Sequence, residues 1–279
     1  MLKQYQYLIL IAVSVVALKL TAQDYGYIEN IGYYGELIND TYQKERCKID
    51  LYYPKTVKKF PTVVWFHGGG LKNGSKDVPE QLKEQGMAVV AVNYRLHPKV
   101  KAPVYIEDAA AAVAWTFKNI DRYGGDPDKI IISGSSAGGY LTMMVGLDKS
   151  YLAKHQINAD NVLALLPLTG HAITHFTVRA ENNISKKQPI IDEYAPLYHV
   201  RADAPPIVLY TGDSELEMLG RTEENAYMMR MLKVAGHQNV KHIILGGYGH
   251  SIKNPSFTIV FFPNHGHGAP SNLIFVFSG

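Results

Sequence analysis

A serine with glycine two residues before it and two after, in Gly134-Ser135-Ser136-Ala137-Gly138, lies where the apolar run Lys129-Ile130-Ile131-Ile132-Ser133 gives way to a helical pattern. A strand that turns sharply into a helix pushes one side chain out at the top of a sheet, and flanking glycines let the turn close without collision. In this register the presented hydroxyl is that of Ser136, because Ser133 and Ser135 lack glycine at both offsets. A serine attacks a carbonyl only when a base takes its proton, and the base needs an acid to orient it. The base expected here is His250, in Leu245-Gly246-Gly247-Tyr248-Gly249-His250. That glycine-rich loop follows a strand, at the edge where sites of open parallel sheets assemble. The acid has three candidates in Gly212-Asp213-Ser214-Glu215-Leu216-Glu217. The offset from Gly212 favours Glu215, with the shorter and closer Asp213 second.

Upstream, His67-Gly68-Gly69-Gly70 follows another apolar strand pattern. Acyl transfer builds negative charge on the carbonyl oxygen, and removing one fixed N–H donor to it costs about 100- to 1000-fold in rate. Successive glycines let backbone amides turn toward a substrate, and Ala137 adds one more just after the nucleophile. The plainer readings are a glycine turn serving only a strand exit, or a phosphate loop. Gly70-Leu71-Lys72-Asn73-Gly74 lacks the Gly-Lys-Ser/Thr that a phosphate loop requires. His171 and His175 have the i, i+4 spacing of a metal-binding helix face, but no Glu-x-x-His context surrounds them. They read as pocket-lining or surface residues, and no metal or cofactor is expected. His265 and His267 read as tail. Tyr194, Tyr198 and His199 could touch an aromatic or sugar substrate, or simply pack.

These residues need elements to hold them. Strand and helix signals alternate with short connections, which predicts an α/β fold with a mostly parallel central sheet and helices on both faces. Strands are expected over 47–53, 60–66, 87–94, 130–132, 162–167, 206–211 and 240–245. Helices are expected over 78–85, 105–120 and 221–235, the second with Glu107 and Asp108 in its first turn, as a helix start prefers. The stretch 170–204 has weak periodicity and is expected to be an excursion above the sheet, able to cover a pocket.

The chain has 279 residues and a formal net charge of +3 spread along its length. That length allows one large domain with a substantial core, expected over 24–279, and the charge leaves no nucleic-acid footprint. Lys3, the apolar stretch 7–17 and the small Ala22 read as a secretory leader over 1–23. The apolar run is short for a membrane span and Lys19 interrupts it, so no stable span is expected. The expected location is therefore periplasmic or secreted. The one cysteine, Cys47, has no partner for a disulfide or a zinc knuckle and reads as a packed thiol.

With the serine turn, the HGGG run and the late histidine in place, the chain resembles an α/β-hydrolase of the esterase/lipase group that carries HGGG upstream of the serine. Within it, the chain is similar to bacterial feruloyl and acetyl-xylan esterase-like proteins. The likeness is carried by Pro61-Thr62-Val63-Val64-Trp65-Phe66-His67-Gly68-Gly69-Gly70, by Tyr105-Ile106-Glu107-Asp108-Ala109, and by Gly220-Arg221-Thr222-Glu223-Glu224-Asn225-Ala226-Tyr227. It covers nearly all of 28–255. It implies a metal-free serine carboxylesterase with Ser136 as nucleophile, Glu215 as acid and His250 as base, and with the amides of Gly69, Gly70 and Ala137 as oxyanion hole. The implied partner is a small-molecule or oligosaccharide ester. Two departures stand out: Ser135 occupies a position more often His or Asp, and the tail 256–279 shows β-like runs, 256–262 and 273–277, where a closing helix is usual. The rival functions are an exopeptidase or amidase that would use Glu107 and Asp108 for a charged peptide terminus, and a hydrolase-fold binding protein that has lost catalysis.

Overall fold

Long apolar runs buried on both sides dictate a sheet with two covered faces, and the order of the connections decides which face each helix takes. The structure, a computed structural model, describes residues 24–35, 40–252, 257–261 and 273–277. The expected leader over 1–23 and the pair His265 and His267 lie outside the described residues.

One sheet is built from β1 (Tyr25–Gly32), β2 (Lys48–Pro54), β3 (Phe60–Phe66), β4 (Ala88–Val92), β5 (Gly125–Ser135), β6 (Ala164–Leu168), β7 (Ile207–Gly212) and β8 (Val240–Leu245). Their spatial order is β1-β2-β4-β3-β5-β6-β7-β8. β1–β2 and β2–β4 pair antiparallel, and every pair from β4–β3 to β8 is parallel. Side chains alternate between two cores: Val64, Phe66, Ile130 and Ile132 face one, and Val63, Trp65, Val89 and Ile131 the other. This is the period-2 pattern of strands covered on both faces.

The main helices are α2 (Val104–Asn119), α3 (Ala137–Leu147) and α6 (Arg221–Val234); the shorter ones are α1 (Thr41–Arg46), α4 (Lys149–Ala153) and α5 (Phe176–Glu181). Right-handed crossovers send the β4–β5, β5–β6 and β7–β8 helices to one face, because all three connections run in the same direction across the sheet. α2, α3 and α6 accordingly share the first core, where Ala109–Ala112 let α2 approach closely. Only β3 to β4 runs the opposite way, so its connection covers the second face. The helix expected over 78–85 is there a single 3-10 turn, Glu80–Leu82. Lys83 is already extended and Glu84 has φ +59°, which stops the helix after one turn. Leu82 joins Met87 and Ile252 in sealing this side against Val63, Trp65 and Val89.

The other expected strands and helices form within a few residues of their anticipated bounds, but β1, α1, α4 and α5 had no expectation. β5 starts earlier than anticipated, at Gly125. The tail runs form β9 (Phe257–Phe261) and β10 (Leu273–Phe277), paired antiparallel as a separate two-stranded sheet. Cys47 is buried, and burial, with Asp108 nearby, pushes its thiol up to about 12. Asp108 is fully buried and accepts from the Arg95 guanidinium, the Arg95 N–H and the Tyr34 hydroxyl at 2.7–2.9 Å. Removing one partner of such a pair strands the other, at a cost of about 3–5 kcal/mol.

The direction of the connections reverses between β3 and β5, where open α/β sheets place their ligands. Phe66 pairs with Gly134 there, so the ends of both strands share one crevice. α3 starts so close to β3 that a Cβ on Gly138 would lie 2.0 Å from the Phe66 carbonyl oxygen. Gly138→Ala is therefore expected to destabilise the fold by about 3 kcal/mol, the upper end of overpacking costs. Thermal unfolding of the purified variant measures this.

Candidate active site

The loop after β3 and the turn after β5 meet in the switch-point crevice. Ser136 stands between β5 and α3 with φ +58° and ψ −113°, a conformation costly for a residue with a side chain. Its N–H is held by the Leu168 carbonyl at 2.7 Å, and the first helical bond, Tyr140 N–H to Ser136 O, closes the turn behind it. The strained backbone leaves Ser136 partly exposed while Ser135 is buried. His67-Gly68-Gly69-Gly70 lies against this turn: a Cβ on Gly68 would come within 3.4 Å of the Ser136 Cβ. Gly69 and Gly70 take φ +106° and +66°. The amides of Gly69, Gly70 and Ala137 donate to no protein acceptor among the described residues.

His250 reaches the same crevice from the loop after β8. Its Nε2 is 2.8 Å from Ser136 Oγ and its Nδ1 is 2.5 Å from Glu217 Oε1. A carboxylate only accepts, so Nδ1 carries the proton and Nε2 is left to accept from the serine hydroxyl. The loop approaches β7 closely, since a Cβ on Gly212 would lie 2.4 Å from Tyr248 O. Asp213 N–H donates to that same Tyr248 carbonyl at 2.7 Å.

The acid at the histidine is therefore Glu217, and the expectation of Glu215 is corrected. Asp213, the second candidate, is spent locally: its carboxylate accepts from Glu215 N–H at 3.0 Å and Gly247 N–H at 3.1 Å. Its carbonyl accepts from Leu216 and Glu217 N–H, so the chain makes one full turn after β7. That turn leaves Glu215 exposed on the outside and brings Glu217 back beneath the strand end. There its side chain is 1% exposed. Burial alone would raise the Glu217 carboxyl. Hydrogen bonds from His250 and from the Met218 and Gly212 N–H groups outweigh it and hold the group below the usual glutamate range. The missed signal was Asp213 itself, since Asp at a strand end hydrogen-bonds the backbone two residues on and starts a turn.

The excursion over 170–204 is pinned across this crevice. Thr177 Oγ1 donates to Gly70 O at 2.6 Å, and Tyr140 donates its hydroxyl to Tyr194 O at 2.8 Å. His171 and His175 are 0% and 1% exposed, so a surface role is corrected for both. Burial, with Arg221 adding to it, holds the His171 ring well below its usual pKa, and its Nδ1 lies 2.9 Å from Glu224 Oε2. His175 accepts from Thr177 N–H at the start of α5. Among the described residues no group of three or more His, Cys, Asp or Glu side chains could hold a metal ion. Tyr198 is 62% exposed, and His199 Nε2 lies 2.8 Å from Glu193 O.

Glu217→Gln and Glu215→Gln separate the two acids. Ser136 phosphonylation by a fluorophosphonate is expected to slow by about 10⁴-fold in Glu217→Gln, as when a triad acid loses its charge. In Glu215→Gln it should stay within about twofold, as for an exposed substitution. Timed labelling with peptide mapping gives both rates.

Known proteins share this architecture. Residues 49–167 match the family model described as BD-FAE. Esterase LipC of Mycobacterium tuberculosis is 26% identical over 216 residues, covering 69% of this chain and 53% of that protein. Carboxylesterase NlhH of the same organism is 35% identical over 103 residues, covering 35% of this chain and 32% of that protein. The chain thus spans about half or less of these curated relatives. Among solved structures, a truncated carbohydrate esterase from gut microbiota has a TM-score of 0.65 at 19% identity, covering 83% of this chain and 91% of its own. An esterase of Pyrobaculum calidifontis has a TM-score of 0.62 at 22% identity, covering 82% of this chain and 77% of its own. Together with the strand order and the serine turn at the β3/β5 crevice, these likenesses show that the chain has the α/β-hydrolase fold, with the BD-FAE match running from β2 into β6.

Proposed function

We propose that this chain is a serine carboxylesterase working through an acyl-enzyme. The observation that carries the reading is the chain of two short hydrogen bonds, Ser136 Oγ to His250 Nε2 and His250 Nδ1 to Glu217. Ser136 Oγ attacks the ester carbonyl carbon as its proton passes to His250 Nε2. The resulting oxyanion sits among the Gly69, Gly70 and Ala137 amides. Glu217 stabilises the imidazolium, which then protonates the leaving alcohol as the carbon–oxygen bond breaks. Water, activated by the same imidazole, releases the acid and restores the serine. The names of LipC and NlhH support ester hydrolysis.

The finer substrate class is small acyl or feruloyl esters, including those on plant polysaccharide fragments. Its support is the motif resemblance and the carbohydrate esterase among the similar folds. Export to the periplasm or medium rests on the leader pattern over 1–23 alone. No helix among the described residues is long and apolar enough to cross a membrane.

The peptidase rival needed Glu107 and Asp108 at the pocket. Asp108 is instead buried against Arg95 and Tyr34, and Glu107 pairs with Lys154 Nζ at 2.9 Å. A full Ser-His-Glu hydrogen-bond chain also speaks against a catalytically silent binding protein.

Hydrolysis of 4-nitrophenyl butyrate is the test. Ser136→Ala is expected to lower kcat by at least about 10⁴-fold, as loss of a triad nucleophile does. Full turnover by that variant would sink the reading.

A further inference from the structure

A second cavity lies beside the crevice, between the excursion and the start of α6, with a volume of about 560 Å³. The two segments that frame it also hold the proposed machinery. Leu219, on one wall, is two residues past Glu217. Arg179, on the other, is two residues past Thr177, whose hydroxyl grips Gly70 of the glycine loop. Glu224, at the back, holds His171.

The lining has two chemical characters. Ile191, Leu219 and Tyr227 are 49%, 43% and 52% exposed, so three of the exposed large apolar side chains among the described residues converge here. Facing them are three cations, Arg179, Lys186 and Lys187, against one carboxylate, Glu224. Glu224 is committed inward, accepting from Ala172 N–H at 3.1 Å and lying 2.9 Å from His171 Nδ1. Arg179 is 3% exposed and gives Nη1 to the Gln188 carbonyl. Its buried Nε has no acceptor among the described residues. A buried guanidinium that keeps donors in hand fits a planar carboxylate better than any neutral group.

We propose that this cavity is a substrate subsite for an amphiphilic carboxylate, with the anionic end at Arg179, Lys186 and Lys187 and an alkyl or aryl body against Ile191, Leu219 and Tyr227. The preferred ester then carries a free carboxylate at a distance from the scissile bond. This rests on the esterase reading and narrows its substrate class. Lys186 and Lys187 are exposed, so they add attraction that salt screens. Arg179, being desolvated, supplies the specific recognition.

Two probes test it. In steady-state kinetics, 4-nitrophenyl hydrogen glutarate should exceed 4-nitrophenyl butyrate in kcat/KM by about tenfold, roughly one charge-assisted contact, with the gain in KM. That ratio should collapse in Arg179→Met, recover partly in Arg179→Lys, and fall in the surface double variant K186Q/K187Q, which carries the test if Arg179→Met does not fold. A ratio near one, or one indifferent to these variants, overturns the proposal while leaving the esterase reading intact. Turnover of neither ester would overturn the esterase reading instead. The cavity is then judged by calorimetry on Ser136→Ala with 3-phenylpropionate and 3-phenylpropanol. Preference for the carboxylate, lost in K186Q/K187Q, supports the anion site, and equal or absent binding overturns it. 3-Phenylpropionate should compete with the butyrate ester in wild type, and noncompetitive inhibition would reassign the cavity to a free effector and overturn its role as a substrate subsite.

Discussion

At the centre of the molecule, the Phe66 carbonyl and the α-carbon of Gly138 meet with no space for a methyl group between them. That contact locks the start of α3 onto the end of β3, and the rest of the crevice follows from it. The serine turn must rise above the sheet because the chain has no other way to enter a helix so close to its neighbour. The glycine loop after β3 then lies against Ser136, held there by the Thr177 hydroxyl on Gly70 O. The strain at Ser136, φ +58° in a residue with a Cβ, is held by the parallel strands on either side, and such strain persists only where surroundings over-determine it.

The charged part of the site obeys a second constraint, the one-way hydrogen-bonding of a carboxylate. Glu217 is buried, yet N–H groups from Gly212 and Met218 and the His250 ring keep its negative charge stable. Because it can only accept, it dictates the tautomer of His250 and so the direction of the hydrogen bond at Ser136. A protonated Glu217 would lose that control. The hydrogen bonds that hold its carboxyl below the glutamate range thus keep Glu217 ionised as the acceptor of the His250 Nδ1–H. Asp213 serves differently: it ties the turn after β7 to the Gly247 amide, fixing the two loops at a common height.

How far the sequence was legible follows from where each feature gets its information. β3, β5, β7 and β8 are apolar runs bounded by turn residues, and Ser136 is marked by glycines that local sterics require, so both are readable from a short window. Glu217 was not, because three carboxylates in six residues are equivalent until Asp213 bends the chain through a full turn. The helix expected over 78–85 failed at Lys83 and Glu84, where the chain turns extended and then takes a positive φ that no periodicity announces. β1 escaped notice because an antiparallel edge strand with one covered side mixes Tyr, Glu and Asn with its apolar positions. His171 and His175 looked like candidates for surface or pocket; their burial depends on the excursion folding back over α6, a contact between distant segments.

That fold-back also explains why polar groups are concentrated behind the acid. Arg221 and His171 are buried, and Glu224 largely so, between the excursion and α6. Arg221 gives Nη1 to Thr169 O, while its Nε stands 4.0 Å from Glu224. Burying an ion pair rarely adds net stability over apolar packing, so this cluster is costly as a mere core. Its value is positional. α6 begins three residues after Met218, and fixing its first turn to the excursion sets the height of the loop that carries Glu217. The same anchoring holds apart the walls that bear Leu219 and Arg179, leaving a hollow where tight apolar packing would have closed one. One buried network therefore both steadies the histidine's acid and keeps an adjoining cavity open.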